Sequence, residues 1–175
     1  HWKMFGNALV GQRSVPSILR FIMECVMWLE DVLRADDVTT ELPAADKDAT
    51  LRGLARLLSR ADALDEDAVY QAFADRERVA TTGIGSGVAM PHGRLHLAKP
   101  RMALAICRQG IAFDSVDGEP ARILVALLTP YEHPGDQIKV LARVSRVLRQ
   151  PSVRERLLHA ASNNDALRIM VEADA

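Results

Sequence analysis

Three glycines on alternate positions, Gly83, Gly85 and Gly87, lie at the middle of this chain. Each would cost a helix interior about 1 kcal/mol relative to alanine. Pro91 follows closely and biases Met90 before it toward extended backbone. The centre of the chain is therefore read as short strands and turns, with Val88-Ala89-Met90 a brief strand. Further strands are expected at Met102–Cys107 and at Ile111-Ala112-Phe113. The strongest strand signal is Ile123–Leu128, ended by Pro130.

Helical patterns lie on either side of this region. Ile18, Ile22, Cys25, Val26, Leu29, Val32 and Leu33 form an apolar stripe for a helix from about Ile18 to Leu33, with Ser14 or Ser17 as its cap. A short β-prone run, Val38–Leu42, ends at Pro43. Asp46 can cap a helix whose apolar face is Leu51, Leu54, Leu57 and Leu58. Asp65 can cap another, with Ala68, Val69, Ala72 and Phe73 inward and Asp75-Arg76-Glu77-Arg78 at its charged end. Three helices close the chain, at about Asp136–Arg149, Ser152–Ala160 and Asn164–Val171.

Helices, then strands, then helices bury their apolar faces most simply as an α/β fold: a small mixed β-sheet flanked by helices on both faces. The hydrophobic fraction of 49% is enough for one core. The expected division is a domain over 27–175 and an N-terminal extension of uncertain origin over 1–26. The chain opens on His1, and Met27 is a candidate natural start. A net charge of -1 argues against a nucleic-acid binder and against a polybasic membrane anchor. No apolar run reaches the ~20 residues needed to cross a bilayer, and no small-residue cleavage site follows the Phe21–Leu29 run, so a cytoplasmic location is expected. Cys25 and Cys107 are far apart and outside any Cys-x-x-Cys pair, which favours two reduced thiols over a disulfide or zinc ribbon.

His92 is the residue with chemistry to offer. It sits between Pro91 and Gly93 after a strand-like run, and an exposed loop position is expected. Pro91 fixes the local backbone, and Gly93 leaves room for an anion to approach the main chain. A neutral imidazole is a competent nucleophile near neutral pH, since its reference pKa is about 6.5. Phosphoryl transfer needs alignment, donors for the equatorial oxygens and a compensating charge. Arg76 and Arg94 can supply that charge through a planar fork. The bland alternative, a loop histidine with no function, stays open on residue types alone. The glycine run is neither a Walker loop nor a dinucleotide fingerprint. His1, His96, His133 and His159 show no metal-binding spacing, and His92 with His96 is a poor helical pair because Gly93 intervenes.

The segment Thr82-Gly83-Ile84-Gly85-Ser86-Gly87-Val88-Ala89-Met90-Pro91-His92-Gly93-Arg94 resembles the active-site segment of enzyme IIA domains of the bacterial sugar phosphotransferase system, fructose–mannitol type. Ile111–Pro120 followed by Leu124–Pro130 is similar to the same family, and the nitrogen-regulatory branch is nearest. The resemblance runs from about Met27 to the C-terminus. It implies that His92 accepts phosphate from a histidine-containing phosphocarrier protein, and that Arg76 matches the family's active-site arginine. The family's second active-site histidine falls at Gln137 here, with His133 nearby but out of register. Glutamine can donate a hydrogen bond to a phosphoryl oxygen but carries no charge.

The resemblance implies no cofactor and three candidate roles. The first is a nitrogen-type regulator whose phosphorylation alters which target proteins it binds; a chain with no fused transporter domain weighs toward it. The second is a sugar-specific IIA that passes phosphate to a IIB domain. The third, suggested by Gln137, is a binding module that has lost phosphorylation. Ile84, Val88 and Met90 are read as core, and Arg143, Arg146 and Arg149 as a solvated helix face.

Overall fold

The computed structural model describes residues 27–61 and 63–175. Of the helix expected from Ile18 to Leu33, the part before Met27 lies outside the described residues, as does Cys25. One helical turn, α1 (Leu29–Val32), leads directly into β1 (Leu33–Thr39). Then come α2 (Lys47–Ser59) and α3 (Glu66–Val79), followed by β2 (Gly83–Gly85), β3 (Val88–Ala89), β4 (His92–Leu95), β5 (Arg101–Ile111) and β6 (Ala121–Pro130). The chain closes with α4 (Pro134–Leu148), α5 (Pro151–Leu158) and α6 (Asn163–Asp174). The capping chemistry matches the sequence. Asp46 accepts from Ala49 N at 2.8 Å, Asp65 accepts from the amides of Asp67 and Ala68, and Pro134 and Pro151 sit in the first turns of α4 and α5.

The six strands form one mixed sheet in the order β1-β5-β6-β3-β2, with β4 also paired to β6. β5 and β6 are the antiparallel centre. β3 and β4 run parallel to β6, end to end along the same edge, with Met90-Pro91 between them. Proline cannot donate to the ladder, so the break falls where the sequence makes it necessary.

Alternation along the central strands sorts two cores. Met102, Leu104 and Ile106 of β5 and Ile123, Val125 and Leu127 of β6 pack with residues of α1, α4, α5 and α6. Ala103, Ala105 and Cys107 with Leu124, Ala126 and Leu128 pack with α2 and α3. A sheet covered on both faces explains why these strands read as continuous apolar runs rather than as alternating ones.

Four local expectations need correction. Leu33 belongs to β1, not to a helix, and the strand starts five residues before the expected Val38. Leu33 and Val38 both pair with β5 and are buried in the same core, with an irregularity between them at the polar Arg34–Asp37 stretch. Ile111 is the end of β5 rather than a separate strand, because Gly110 (φ +79°) lets the chain turn through a bulge and rejoin β6 opposite Ala121. Ile84 is exposed: Gly83 and Gly85 face inward against Ser115 and Asp117, so the residue between them points out. Arg143 and Arg146 are not simply solvated, since both pair with the buried Asp174 and Arg143 stacks over Trp28.

The glycine run itself makes a two-residue hairpin. Gly85 pairs with Val88, and Ser86 and Gly87 both have positive φ (54° and 74°). That geometry matches the twist of the flanking strands and favours glycine. Its consequence is positional: the hairpin delivers Val88–Leu95 to the edge of β6, which places His92.

Candidate functional site

His92 opens β4 and stands opposite Leu127 of β6. It is only 9% exposed, so the expected open loop position is wrong. The reason is that the residues after Pro91 form an edge strand paired to β6 and covered by α3, whose Ala72 lies against Gly93. Gly93 likewise serves packing. A Cβ there would lie 2.8 Å from the Ala72 Cβ and 3.0 Å from the Ala72 carbonyl carbon, so only glycine lets α3 press this closely on β4.

Two hydrogen bonds fix the imidazole. Arg76 Nε lies 3.0 Å from His92 Nε2, and His92 Nδ1 lies 2.8 Å from the Met90 carbonyl oxygen. A guanidinium N–H can only donate, and a carbonyl can only accept. The ring therefore carries its proton on Nδ1 and presents its lone pair at Nε2. Burial is the largest influence on its titration and lowers the pKa below the ordinary histidine value. The Met90 carbonyl works the other way, Arg76 and Arg94 add to the lowering, and Glu77 opposes it. The net effect is a lowered pKa, which favours the neutral ring.

Arg76 lies in the last turn of α3, where its Nη1 also donates to the Ala80 carbonyl at 2.8 Å. Arg94 is two residues beyond His92 on β4, and its Nε donates to Gln137 Oε1 at 3.3 Å. Neither arginine has a carboxylate partner within ion-pair distance among the described residues. Arginines that are near a buried nucleophile and lack carboxylates suit an arriving anion. Gln137, in the first turn of α4, also accepts from Thr129 Oγ1 at 3.3 Å. The four expected site residues thus form two contacting pairs, His92 with Arg76 and Arg94 with Gln137. His133, Gln137's neighbour in sequence, forms the N-cap of α4.

The sequence reading missed three contributors. Thr129 is fully buried, and its signal was a polar residue directly following the apolar run Ile123–Leu128. Glu77 accepts from the Thr82 amide at 3.0 Å and from Lys47 Nζ at 2.9 Å, tying the end of α3 to the start of the glycine run. Lys47 bridges on to Asp114 at 2.6 Å. Burial acts against the Lys47 charge, but its hydrogen bonds to Asp114 and Glu77 outweigh this and raise its pKa.

Residues 31–173 match the family described as phosphoenolpyruvate-dependent sugar phosphotransferase system, EIIA 2. The chain belongs to this EIIA family. It is 35% identical over 137 residues to the "PTS system fructose-specific EIIA component" of Haloferax volcanii, covering 77% of this chain and 89% of the relative. It is 33% identical over 132 residues to the "Nitrogen regulatory protein" of Bradyrhizobium diazoefficiens, covering 75% and 86%. Its structure superposes on the nitrogen regulatory protein IIA-Ntr of Neisseria meningitidis with a TM-score of 0.76 at 27% identity, over 81% of this chain and 98% of that one. The EIIA fold is thus the one expected from the sequence: a mixed six-stranded sheet between helices. No helix among the described residues is long and apolar enough to cross a membrane.

Proposed function

We propose that this EIIA protein is a phosphohistidine carrier that accepts a phosphoryl group on Nε2 of His92 from a histidine-containing phosphocarrier protein. The observation that carries this is the pair of contacts that set Nε2 of His92 against the Arg76 Nε–H and Nδ1 against the Met90 carbonyl, from which a neutral, Nδ1-protonated ring follows. In the reaction, a bond forms between Nε2 and phosphorus. The phosphorus–nitrogen bond of the donor breaks, and the donor imidazole leaves with the electron pair. Nδ1 keeps its proton on the Met90 carbonyl, which stabilises the ring as it loses electron density. The Arg76 Nε–H, which stays on the guanidinium, redirects its hydrogen bond from Nε2 to a phosphoryl oxygen, and the Nη groups of Arg94 take a share of the charge. Residues 27–175 are the working domain under this reading.

The test is incubation with a phosphorylated carrier protein followed by intact-mass measurement at neutral to alkaline pH. Wild type gains one phosphoryl group, and His92→Ala gains none. Equal gain by both proteins, or no gain by wild type, refutes the assignment.

For the phosphate's destination, we favour a nitrogen-type regulator, supported by the match to IIA-Ntr over nearly all of that chain. The fructose-specific relative supports the competing reading, delivery to a IIB domain. Label supplied as phosphoenolpyruvate with the general phosphotransferase proteins separates them. Label that reaches a IIB domain favours sugar uptake, and label that stops on this protein favours regulation.

A further inference from the structure

The hydrogen bonds of Gln137 determine which way its amide faces. Arg94 Nε–H and Thr129 Oγ1 both approach the same atom, Oε1, at 3.3 Å. The hydroxyl of Thr129 could in principle accept instead of donate, but the guanidinium N–H cannot. The atom against Arg94 is therefore the oxygen, and the amide nitrogen is directed away from both neighbours with its two N–H groups available. Thr129 is held without choice: it is fully buried and in register with Arg94 across the β4–β6 pair. His92 and Arg94 are two apart on β4, so both project from the same face, and the Arg94 charge is close enough to bear on His92.

We infer that Thr129 and Arg94 act as positioning residues that lock Gln137 as an uncharged hydrogen-bond donor to the phosphoryl group carried by His92. The inference rests on the phosphohistidine reading above and adds to it. Where a second histidine would gain and lose charge near neutrality, a locked glutamine donates in the same way at every pH. Arg94 then has two tasks, orienting Gln137 through Nε and facing the anion through its Nη groups. Thr129 has one task and touches no phosphate.

The experiment follows hydrolysis of the isolated phosphorylated protein from about pH 5 to pH 8. Loss of one such hydrogen bond shortens the lifetime by about two- to tenfold. Thr129→Val and Gln137→Ala are each expected to do so by the same factor, the double variant by no more than either, and Thr129→Ser to restore the wild-type lifetime. Gln137→His is expected to hydrolyse at a rate whose ratio to wild type changes through the histidine titration range. Any of three results overturns the inference: a wild-type lifetime for Thr129→Val, additive losses in the double variant, or a ratio for Gln137→His that is flat with pH. These assays start from phosphorylated wild type, so they fail separately from the site assignment. A wild type that never gains phosphate overturns both.

Discussion

At the scale of single residues, His92 has two linked properties, burial and a neutral ring. Its folded pKa lies below the unfolded value, so the unfolded chain binds more protons as pH falls. Stability contributed by neutral His92 is present above about pH 6.5 and is lost as pH falls from there toward the lower folded pKa. Denaturant titrations at several pH values are expected to show this loss in wild type and not in His92→Gln. The same shift predicts that phosphoryl acceptance holds nearly flat somewhat below pH 6.5, where a free imidazole would already be losing its nucleophile. Gly93 gives a steric counterpart. Gly93→Ala places a methyl 2.8 Å from the Ala72 Cβ and is expected to cost about 1–3 kcal/mol in thermal or chemical denaturation. Ala72→Gly should recover only part of that, because the Ala72 backbone also lies within 3.0 Å.

At the scale of elements, the site depends on where α3 ends. Arg76 is held toward His92 by its own bond to the Ala80 carbonyl, and Glu77, next to it, ties the same helix end to Thr82 and Lys47. Glu77→Ala leaves the buried Thr82 amide without its acceptor, while Lys47 keeps Asp114, and is expected to cost about 1–3 kcal/mol. It should also slow phosphoryl acceptance more than it weakens binding of the carrier, which a comparison of rate and affinity would show. The same region shows what a sequence reading can reach. Capping residues Asp46 and Asp65, the alternating glycines and Pro91 carry local rules, and the elements they mark formed where those rules place them. Leu33, Ile84 and His92 were misplaced because their surroundings are set by partners far along the chain. β1 exists by pairing with β5, Ile84 is turned out by glycine contacts with the 113–117 loop, and His92 is buried by β6. Thr129 was hidden for the same reason, since its hydroxyl gains meaning only when α4 brings Gln137 to it.

At the scale of the whole molecule, both ends of the described chain meet at Asp174. Its carboxylate accepts from the Leu29 amide at 2.8 Å, Arg143 at 2.9 Å and Arg146 at 3.1 Å, and it is itself buried. One side chain thus supplies a first-turn acceptor to α1 and joins α1, α4 and α6 on the sheet face away from α2 and α3. Asp174→Ala is expected to destabilise the fold by about 1–3 kcal/mol, because the Leu29 amide loses its buried acceptor and the half-buried Arg143 its counter-charge, while the more exposed Arg146 contributes little. Refolded at low temperature, that variant should still accept phosphate, since Asp174 packs on the α4–α6 face and touches neither His92 nor Arg76.

The central claim is that phosphate rests on one nitrogen of one histidine, selected by two hydrogen bonds. Phosphorus–nitrogen NMR of the phosphorylated protein carrying labelled histidine tests it most directly. The structure predicts a single phosphoryl group coupled to Nε2 of His92, with Nδ1 still protonated. Phosphate on Nδ1, or on His96, His133 or His159, would contradict it.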